Sequence, residues 1–312
     1  MAQIDLVTGG AGFIGSNLVH RLVHMGRTVR VLDNFSTGRQ ENLASVLSGI
    51  ELIEGDIRDL SALHGCMRGV DCVFHQAAIP SVPRSIEDPV QSNESNISGT
   101  LNVLIAARDS RVRRLVFASS SAVYGDTPVL PKKEDMPPSV LSPYALNKLT
   151  GENYCRLFFS LYGLETVSLR YFNVFGPRQN PGSEYAAVIP KFITAFLEGK
   201  PPVVYGDGEQ TRDFTFIENV VNANLLAAQA SRCAGEIVNI ATGERISLNQ
   251  LVTHLENMTG NQVTPEYTEA RAGDVLHSLA DIALSRTLLG YDPIVDFESG
   301  LQKTLEWFRD TV

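Results

Sequence analysis

Long apolar runs are missing from this sequence. No stretch approaches the ~18 consecutive apolar residues that a membrane-spanning helix needs. The first residues run straight into a strand-like pattern, with neither a charged leader region nor an apolar one behind it. No membrane span and no secretory leader are therefore expected. Basic charge is also scarce: 26 Lys and Arg face 35 Asp and Glu, for a net charge of −9. Such a chain lacks the cationic footprint of non-specific nucleic-acid binding, so nucleic acid is not expected as a partner. A local arginine cluster can still hold an anionic small molecule against the global sign. Cysteine is sparse. Cys66, Cys72, Cys155 and Cys233 form no Cys-x-x-Cys pair, which suits a reducing cytoplasm better than a disulfide framework. The six histidines keep no metal-ligand spacing with cysteine or with one another. His20 and His24 stand i,i+4 on an expected helix, but no acidic residue of the zinc-protease kind lies between them. They are read as helix-surface residues, and no metal is expected. Repeats, low-complexity tracts and long linkers are absent as well.

What is present is the pattern of an α/β protein. The chain has 312 residues, of which 44% are hydrophobic and 20% charged, an ordinary soluble balance at a length where chains tend to divide into two units. Ile4–Thr8 reads as a buried strand. Gly9-Gly-Ala-Gly-Phe-Ile-Gly15 follows, then an apolar-periodic helix from Ser16 and a second strand, Val29–Asp33. Strand, glycine turn, helix, strand and a closing acid is the context in which such glycines bind a dinucleotide. One permits the turn, one lets backbone approach a pyrophosphate, and one lets the helix pack on the strand, whose N-terminus then faces the phosphates. Gly9, Gly12 and Gly15 are the candidates. Asp33 lies 18 residues after Gly15, close to the spacing of a ribose-diol ligand. Its carboxylate would repel a 2′-phosphate, so NAD is favoured over NADP.

The alternation continues through Ile50–Glu54, Cys72–Ala78, a helix at Asn96–Ala107 and strands at Arg114–Ala118 and Leu164–Leu169. Asp56 has two readings: an acceptor for an adenine amino group, or the N-cap of a helix starting near Leu60. Ala77 and Ala78 leave room for a close backbone approach. Ser119, Ser120 and Ser121 stand at the carboxyl end of a strand, where open α/β sheets bind their ligands. Beyond Gly176 the rhythm loosens. A helix at 188–199, a strand at 203–205, a further strand at 214–217, helices at 220–230 and 248–258, and a strand at 236–240 remain legible. The expected architecture is a Rossmann-type doubly wound parallel sheet with a smaller α/β substrate domain. Residues 1–173 with about 213–241 form the first part, and 174–212 with 242–312 the second.

Ser142-Pro-Tyr-Ala-Leu-Asn-Lys148 sets Tyr144 and Lys148 four residues apart. On a helix they share a face, and an ammonium beside a phenol favours the phenolate. That would let Tyr144 transfer protons near neutral pH. Alone, the spacing also fits an ordinary surface pair.

Together these pieces resemble the extended short-chain dehydrogenase/reductases, and more narrowly the UDP-hexose 4-epimerases. The resemblance runs through Thr8-Gly-Gly-Ala-Gly-Phe-Ile-Gly15, Asp33-Asn34, Gly55-Asp56, the serine run with Tyr124-Gly125, the Tyr144/Lys148 pair, and Arg170-Tyr-Phe-Asn173. It continues in Tyr205-Gly-Asp-Gly208, Arg212-Asp213 and Arg271-Ala-Gly-Asp274. It implies that Tyr144 takes the proton from a sugar 4-hydroxyl, that Ser120 bonds the 4-oxygen, and that Lys148 lowers the tyrosine pKa and holds the nicotinamide ribose. NAD would stay bound and be regenerated in each turnover. The cofactor set it implies adds Phe13, Ile14, Asn34, Ser36, Thr37 and Gly38, then Ile57, Gln76, Asn96, Ser119, Tyr171 and Phe172. For a UDP-sugar it implies Arg212, Arg271 and Asn173 at the phosphates, Tyr205 and Ala187, Val188, Ile189 and Phe192 around the uridine, and Asp274 at a ribose. Arg84, Ser85, Ser121 and Gln179 join the sugar side.

Competing chemistries in the same family need extra acids. Dehydratases carry Asp-Glu directly after the catalytic Ser/Thr, and decarboxylases a Glu at the second of those positions. This chain has Ser121-Ala122, which favours plain epimerisation. A non-enzymatic nucleotide-sensing protein on the same fold would tend to lose the Tyr or Lys. Ser278 occupies a position where a bulky Tyr excludes a 2-acetamido group, so N-acetylated sugars are expected to enter, with UDP-glucose and UDP-galactose also possible substrates. A homodimer through helices around 96–107 and 144–160 is implied. Leu101, Val103, Leu104, Leu157, Phe158 and Leu161 would serve either its interface or the core.

Overall fold

The structure, a computed structural model, describes residues 3–180, 187–270 and 275–311. Its strands are β1 (Ile4–Thr8), β2 (Thr28–Asp33), β3 (Ile50–Glu54), β4 (Val70–His75), β5 (Arg114–Ser120), β6 (Glu165–Tyr171), β7 (Val174–Phe175), β8 (Val203–Tyr205), β9 (Thr211–Arg212), β10 (Thr215–Phe216), β11 (Ile237–Ile240), β12 (Ile246–Ser247) and β13 (Glu266–Thr268). Seven of them form one sheet in the order β11-β6-β5-β4-β1-β2-β3, with every neighbouring pair parallel. This is the expected Rossmann-type sheet. A parallel sheet is covered on both faces and its strands are nearly continuous apolar runs. β1 and β5 are buried along almost their whole length. Strand order reverses between β1 and β4, and the crevice for a ligand opens at the carboxyl ends there.

The helices are α1 (Phe13–His24), α2 (Leu60–Cys66), α3 (Val82–Glu87), α4 (Pro89–Asn93), α5 (Gly99–Asp109), α6 (Pro143–Tyr162), α7 (Val188–Leu197), α8 (Ile217–Gln229), α9 (Leu248–Thr259), α10 (Ala283–Leu289) and α11 (Phe297–Thr311). Two core clusters cover the two faces of the sheet. One includes Val7, Leu18, Val31, Phe74 and Val116, and it runs on through Phe192, Phe196, Val204 and Leu251 to Phe308. The other includes Leu6, Leu32, Leu63, Leu104, Leu115 and Phe158. The small pairs β7–β10, β8–β13 and β9–β12 lie outside the main sheet. None of the helices among the described residues is long and apolar enough to cross a membrane.

Several expectations shift by a few residues or change sense. α1 starts at Phe13, not Ser16, because glycine 12 caps it through backbone alone. The helix near 96 is a π-turn, Glu94–Ser98, leading into α5. The strand at 214–217 shrinks to Thr215–Phe216, and α8 takes Ile217. Of the apolar residues on α5 and α6, Val103, Leu104 and Phe158 are core, whereas Leu157 and Leu161 are exposed, along with Leu146 and Tyr162. His24 is on the surface, but His20 is partly enclosed. Its Nε2 bonds the Asn42 carbonyl at 2.8 Å, and burial lowers its pKa.

Candidate active site

The glycine turn is built by contact. Gly9 sits at φ +68°, and a Cβ on it would come 2.6 Å from the Ala77 backbone. A Cβ on Gly15 would come 2.1 Å from the Gly9 carbonyl oxygen. Only hydrogen fits at either place. The first turn of α1 has no side-chain cap and no acidic residue, so its amides and dipole are suited to an anion. Asp33 closes β2. One carboxylate oxygen accepts from Ala11 N–H and the other from Phe35 N–H, both at 2.8 Å. Each oxygen retains capacity for a second donor. Burial pushes this carboxyl up, against the two amide bonds. A Cβ on Gly38 would press within 3.0 Å of the Asp33 carboxylate, so the loop carrying Ser36, Thr37 and Gly38 lies directly on it. The cradle therefore fits a dinucleotide: bare amides for a pyrophosphate, a fixed carboxylate for a ribose diol.

Asp56 does not cap α2. That role falls to Asp59, which accepts from Ser61 and Ala62 N–H. Asp56 is instead held by Arg58 at 2.8 Å and by the Asn34 amide at 2.8 Å. The Arg58 bonds hold its carboxyl down at about 2. Asp56 and Arg58 line an open recess of about 480 Å³ with Asp59, Glu94, Ser98 and Asn102. Under the sheet ends, His75 bridges Thr8 (2.7 Å) and Thr100 (3.0 Å). Full burial drops its pKa to about 3.

The catalytic candidates converge. Ser120 ends β5, and its Oγ accepts from Ala122 N–H at 3.2 Å. Tyr144 sits in the first turn of α6, and the Ser120 side chain is near enough to act on its hydroxyl. Lys148, one turn on, donates to the Ala118 carbonyl at 2.6 Å, and its Nζ is 5.8 Å from the Tyr144 ring centroid. The expectation that the lysine lowers the tyrosine pKa is not met here. Burial raises the Tyr144 pKa against the lowering influence of the Ser120 hydroxyl, and burial lowers Lys148 to about 8. The reason is that the ammonium is bonded to a carbonyl, not to the phenol.

Several predicted contacts turn out to have other partners. Ser119 donates to Glu152 Oε1 at 2.5 Å. Asn96 bonds both the N–H and the C=O of Ile79. The side chains of Ile57 and Phe172 are in the core. The Tyr171 hydroxyl meets Gln76 and Asn224, and burial raises it to about 12. Ser85 is fully buried. It donates to the Val82 carbonyl (2.7 Å) and accepts the Tyr144 N–H (3.1 Å), which makes it a tether of α6. Arg84 bonds Gln91 at 2.9 Å. Gln179 donates to the Val174 carbonyl, and its own buried carbonyl oxygen has no partner among the described residues.

A cavity of about 560 Å³ brings together Asn173, Ala187, Val188, Ile189, Phe192, Tyr205 and Arg212. Lys191, within the segment expected at the uridine, also lines it, as do Gln210 and Leu248, which the sequence reading missed. Gln210 donates to the Tyr205 carbonyl at 2.5 Å. Its position two residues before Arg212 was the available signal. Asn173 joins the cavity to Ser278, a buried residue. Asp213, also buried, accepts from Thr242, Gly243 and Ala280 N–H. Arg271 and Asp274 lie outside the described residues. Among the described residues no cluster of His, Cys, Asp and Glu could hold a metal ion.

Comparison with known proteins identifies the family. Residues 6–241 match the NAD dependent epimerase/dehydratase family. The putative UDP-glucose 4-epimerase of Methanocaldococcus jannaschii is 40% identical over 307 residues, 98% of each chain. The UDP-N-acetyl-α-D-glucosaminuronate decarboxylase of Bacillus cytotoxicus is 35% identical over 325 residues, 99% of each. Among solved structures, UDP-N-acetylglucosamine 4-epimerase from Methanobrevibacter ruminantium M1, in complex with UDP-N-acetylmuramic acid, superposes with TM-score 0.96 at 40% identity, covering 100% of this chain and 99% of that one. The chain belongs to the NAD-dependent epimerase/dehydratase family, and within it resembles the UDP-hexose 4-epimerases.

Proposed function

We propose that the protein inverts C4 of a UDP-hexose, interconverting UDP-N-acetylglucosamine with UDP-N-acetylgalactosamine and also UDP-glucose with UDP-galactose. The observation that carries this is the meeting of Ser120, Tyr144 and Lys148 beside Ser121-Ala122, where no acid is present. When bound, NAD supplies a reversible hydride acceptor at C4. The remaining work falls to side chains. Tyr144 removes and returns the O4 proton, and Ser120 holds O4 by a hydrogen bond. Burial disfavours either ionised group alone, so a phenolate forms most readily with the Lys148 ammonium beside it. The 4-keto sugar turns over, and as a hydride is returned to the other face of C4, Tyr144 returns the proton to O4.

We assign residues 1–173 and 213–241 to the cofactor, and 174–212 and 242–312 to the nucleotide-sugar. Asn173 and Arg212 hold the phosphates, with Arg271 and Asp274 as further proposed ligands. Val188 and Phe192 enclose the uridine with Tyr205. Asp33 and the α1 amides hold NAD firmly enough for it to remain bound between turnovers. Ser278 leaves space for a 2-acetamido group. The exposed Leu146, Leu157, Leu161 and Tyr162 of α6 support a homodimer, and the free cysteines support a cytoplasmic setting. The decarboxylase relative raises a second reading, but that chemistry lacks its acid at Ala122.

The test is incubation of purified protein with UDP-N-acetylglucosamine and no added NAD. Appearance of UDP-N-acetylgalactosamine with no net NADH is expected. Accumulating NADH, or carbon dioxide from a UDP-uronate, would replace the reading.

A further inference from the structure

Glu152 lies one turn beyond Lys148 on α6, and both side chains are buried. Positions i and i+4 share a helix face, with Cβ atoms roughly 5–6 Å apart. The groups facing Lys148 come from three elements besides its own. His75 approaches from β4 and is neutral, with its pKa down at about 3. Phe117 from β5 places its ring 5.0 Å from Nζ, and Arg170 approaches from β6 through Glu152. On α6 itself stand Tyr144, Cys155 and Glu152. Burial raises the Tyr144 hydroxyl and pushes the Cys155 thiol up to about 12. Among these named groups, Glu152 is the one carboxyl, and it is paired with the Arg170 guanidinium.

Its carboxylate accepts three hydrogen bonds from two residues. Arg170 binds it through a two-pronged fork, Nε to Oε1 and Nη2 to Oε2, each at 2.8 Å. Ser119 donates to Oε1 at 2.5 Å. The Arg170 guanidinium lies 4.7 Å over the Tyr124 ring. Bidentate pairing fixes orientation as well as charge. Ser119 immediately precedes Ser120 on β5, so one carboxylate touches the strand end that carries the serine and faces the lysine along the helix that carries the tyrosine. A buried ion pair is a poor route to stability, because its desolvation cost rivals its attraction. A specific positional task accounts better for this one.

We propose that Glu152 is a positioning residue for the reaction: clamped by Arg170 and Ser119, it is the fixed counter-charge that keeps Lys148 cationic beside Tyr144 and sets the strand end bearing Ser120. The link to turnover rests on the epimerase reading above; the link to Lys148 does not. Against burial, which lowers the lysine pKa most, Cys155 and then Glu152 act to raise it; with the Cys155 thiol pushed up to about 12, the carboxylate is the counter-charge at neutral pH that the clamp holds in place.

The test is a titration of Lys148 in protein labelled with 13Cε-lysine, assigned with Lys148→Met and run beside a kcat–pH profile. In Glu152→Gln the Lys148 midpoint is expected to fall by about one pH unit. The alkaline limb of kcat should move in the same direction, because the ammonium is lost at lower pH. Glu152→Gln leaves Arg170 buried and uncompensated, so Glu152→Met with Arg170→Met provides the variant that keeps an apolar, packed core. It is expected to fold with a midpoint below that of the wild type but above that of Glu152→Gln, where the unpaired Arg170 charge adds to the fall. Folded variants with the wild-type midpoint and alkaline limb would overturn the proposal. The lysine titration needs no turnover. Wild-type protein that left both UDP-sugars unchanged would therefore refute the epimerase reading while the lysine result stood or fell by itself.

Discussion

The Asn173 amide donates to the Ser278 hydroxyl across 3.4 Å, joining two positions 105 residues apart. Ser278 is only 8% exposed, so a tyrosine there must displace something within the pocket. Ser278→Tyr is expected to depress kcat/KM for UDP-N-acetylglucosamine far more than for UDP-glucose. Parallel assays on both substrates check it. Equal losses would mean that Ser278 is not a gate.

Tyr144→Phe keeps the ring and deletes the hydroxyl that stands near Ser120. Loss of a positioned proton-transfer group is expected to lower kcat by about 10²–10⁴-fold, with UDP affinity by calorimetry unchanged. Near-wild-type turnover would remove Tyr144 from the chemistry.

Ser85→Ala removes the acceptor of the Tyr144 N–H. The expected effect is about 1 kcal/mol of stability with kcat reduced and KM for the sugar nucleotide retained. A raised KM at constant kcat would make Ser85 a sugar contact and not a tether.

Gly15→Ala places a methyl 2.1 Å from the Gly9 carbonyl. Purified protein should lose bound NAD and melt at lower temperature. Gly65→Ala, in α2 with nothing within 4 Å of a Cβ, is the matched control. It should gain roughly 0.5–1 kcal/mol by reducing unfolded-state freedom and keep its NAD.

His75 has its folded pKa near 3, against an ordinary value of 6.5. Its folded form therefore binds fewer protons than the unfolded chain below pH 6.5. The contribution is present above that pH and is lost progressively as pH falls towards 3, at up to about 1.4 kcal/mol per pH unit. Thermal melts between pH 7 and 5 should decline in wild type and flatten in His75→Gln. Parallel slopes would place the pH sensitivity elsewhere.

Legibility followed the reach of each signal. Ile4–Thr8 and Ile50–Glu54 were read to the residue, because strand signals are local. The glycine turn was equally clear, since its geometry is carried by residues nearly adjacent in sequence. α3 and α4 were not seen: they span 6 and 5 residues with proline near each start, too short to show a period. Pairings such as Ser85 with Tyr144, 59 residues apart, leave no trace in a pattern. The same holds for Asp59, which outcompeted Asp56 for the α2 cap because it stands directly before the first turn.

The segment bearing Ser278 is anchored at both ends. Its own N–H reaches the Thr211 carbonyl at 3.0 Å, and Ala280 N–H reaches the buried Asp213 at 3.2 Å. A backbone pinned in this way does not need to be redesigned when its side chain changes. Under the proposed gating, the substrate range of a lineage carrying this scaffold is inherited through a single codon. It can widen or narrow in one mutational step while the machinery around Tyr144 stays untouched.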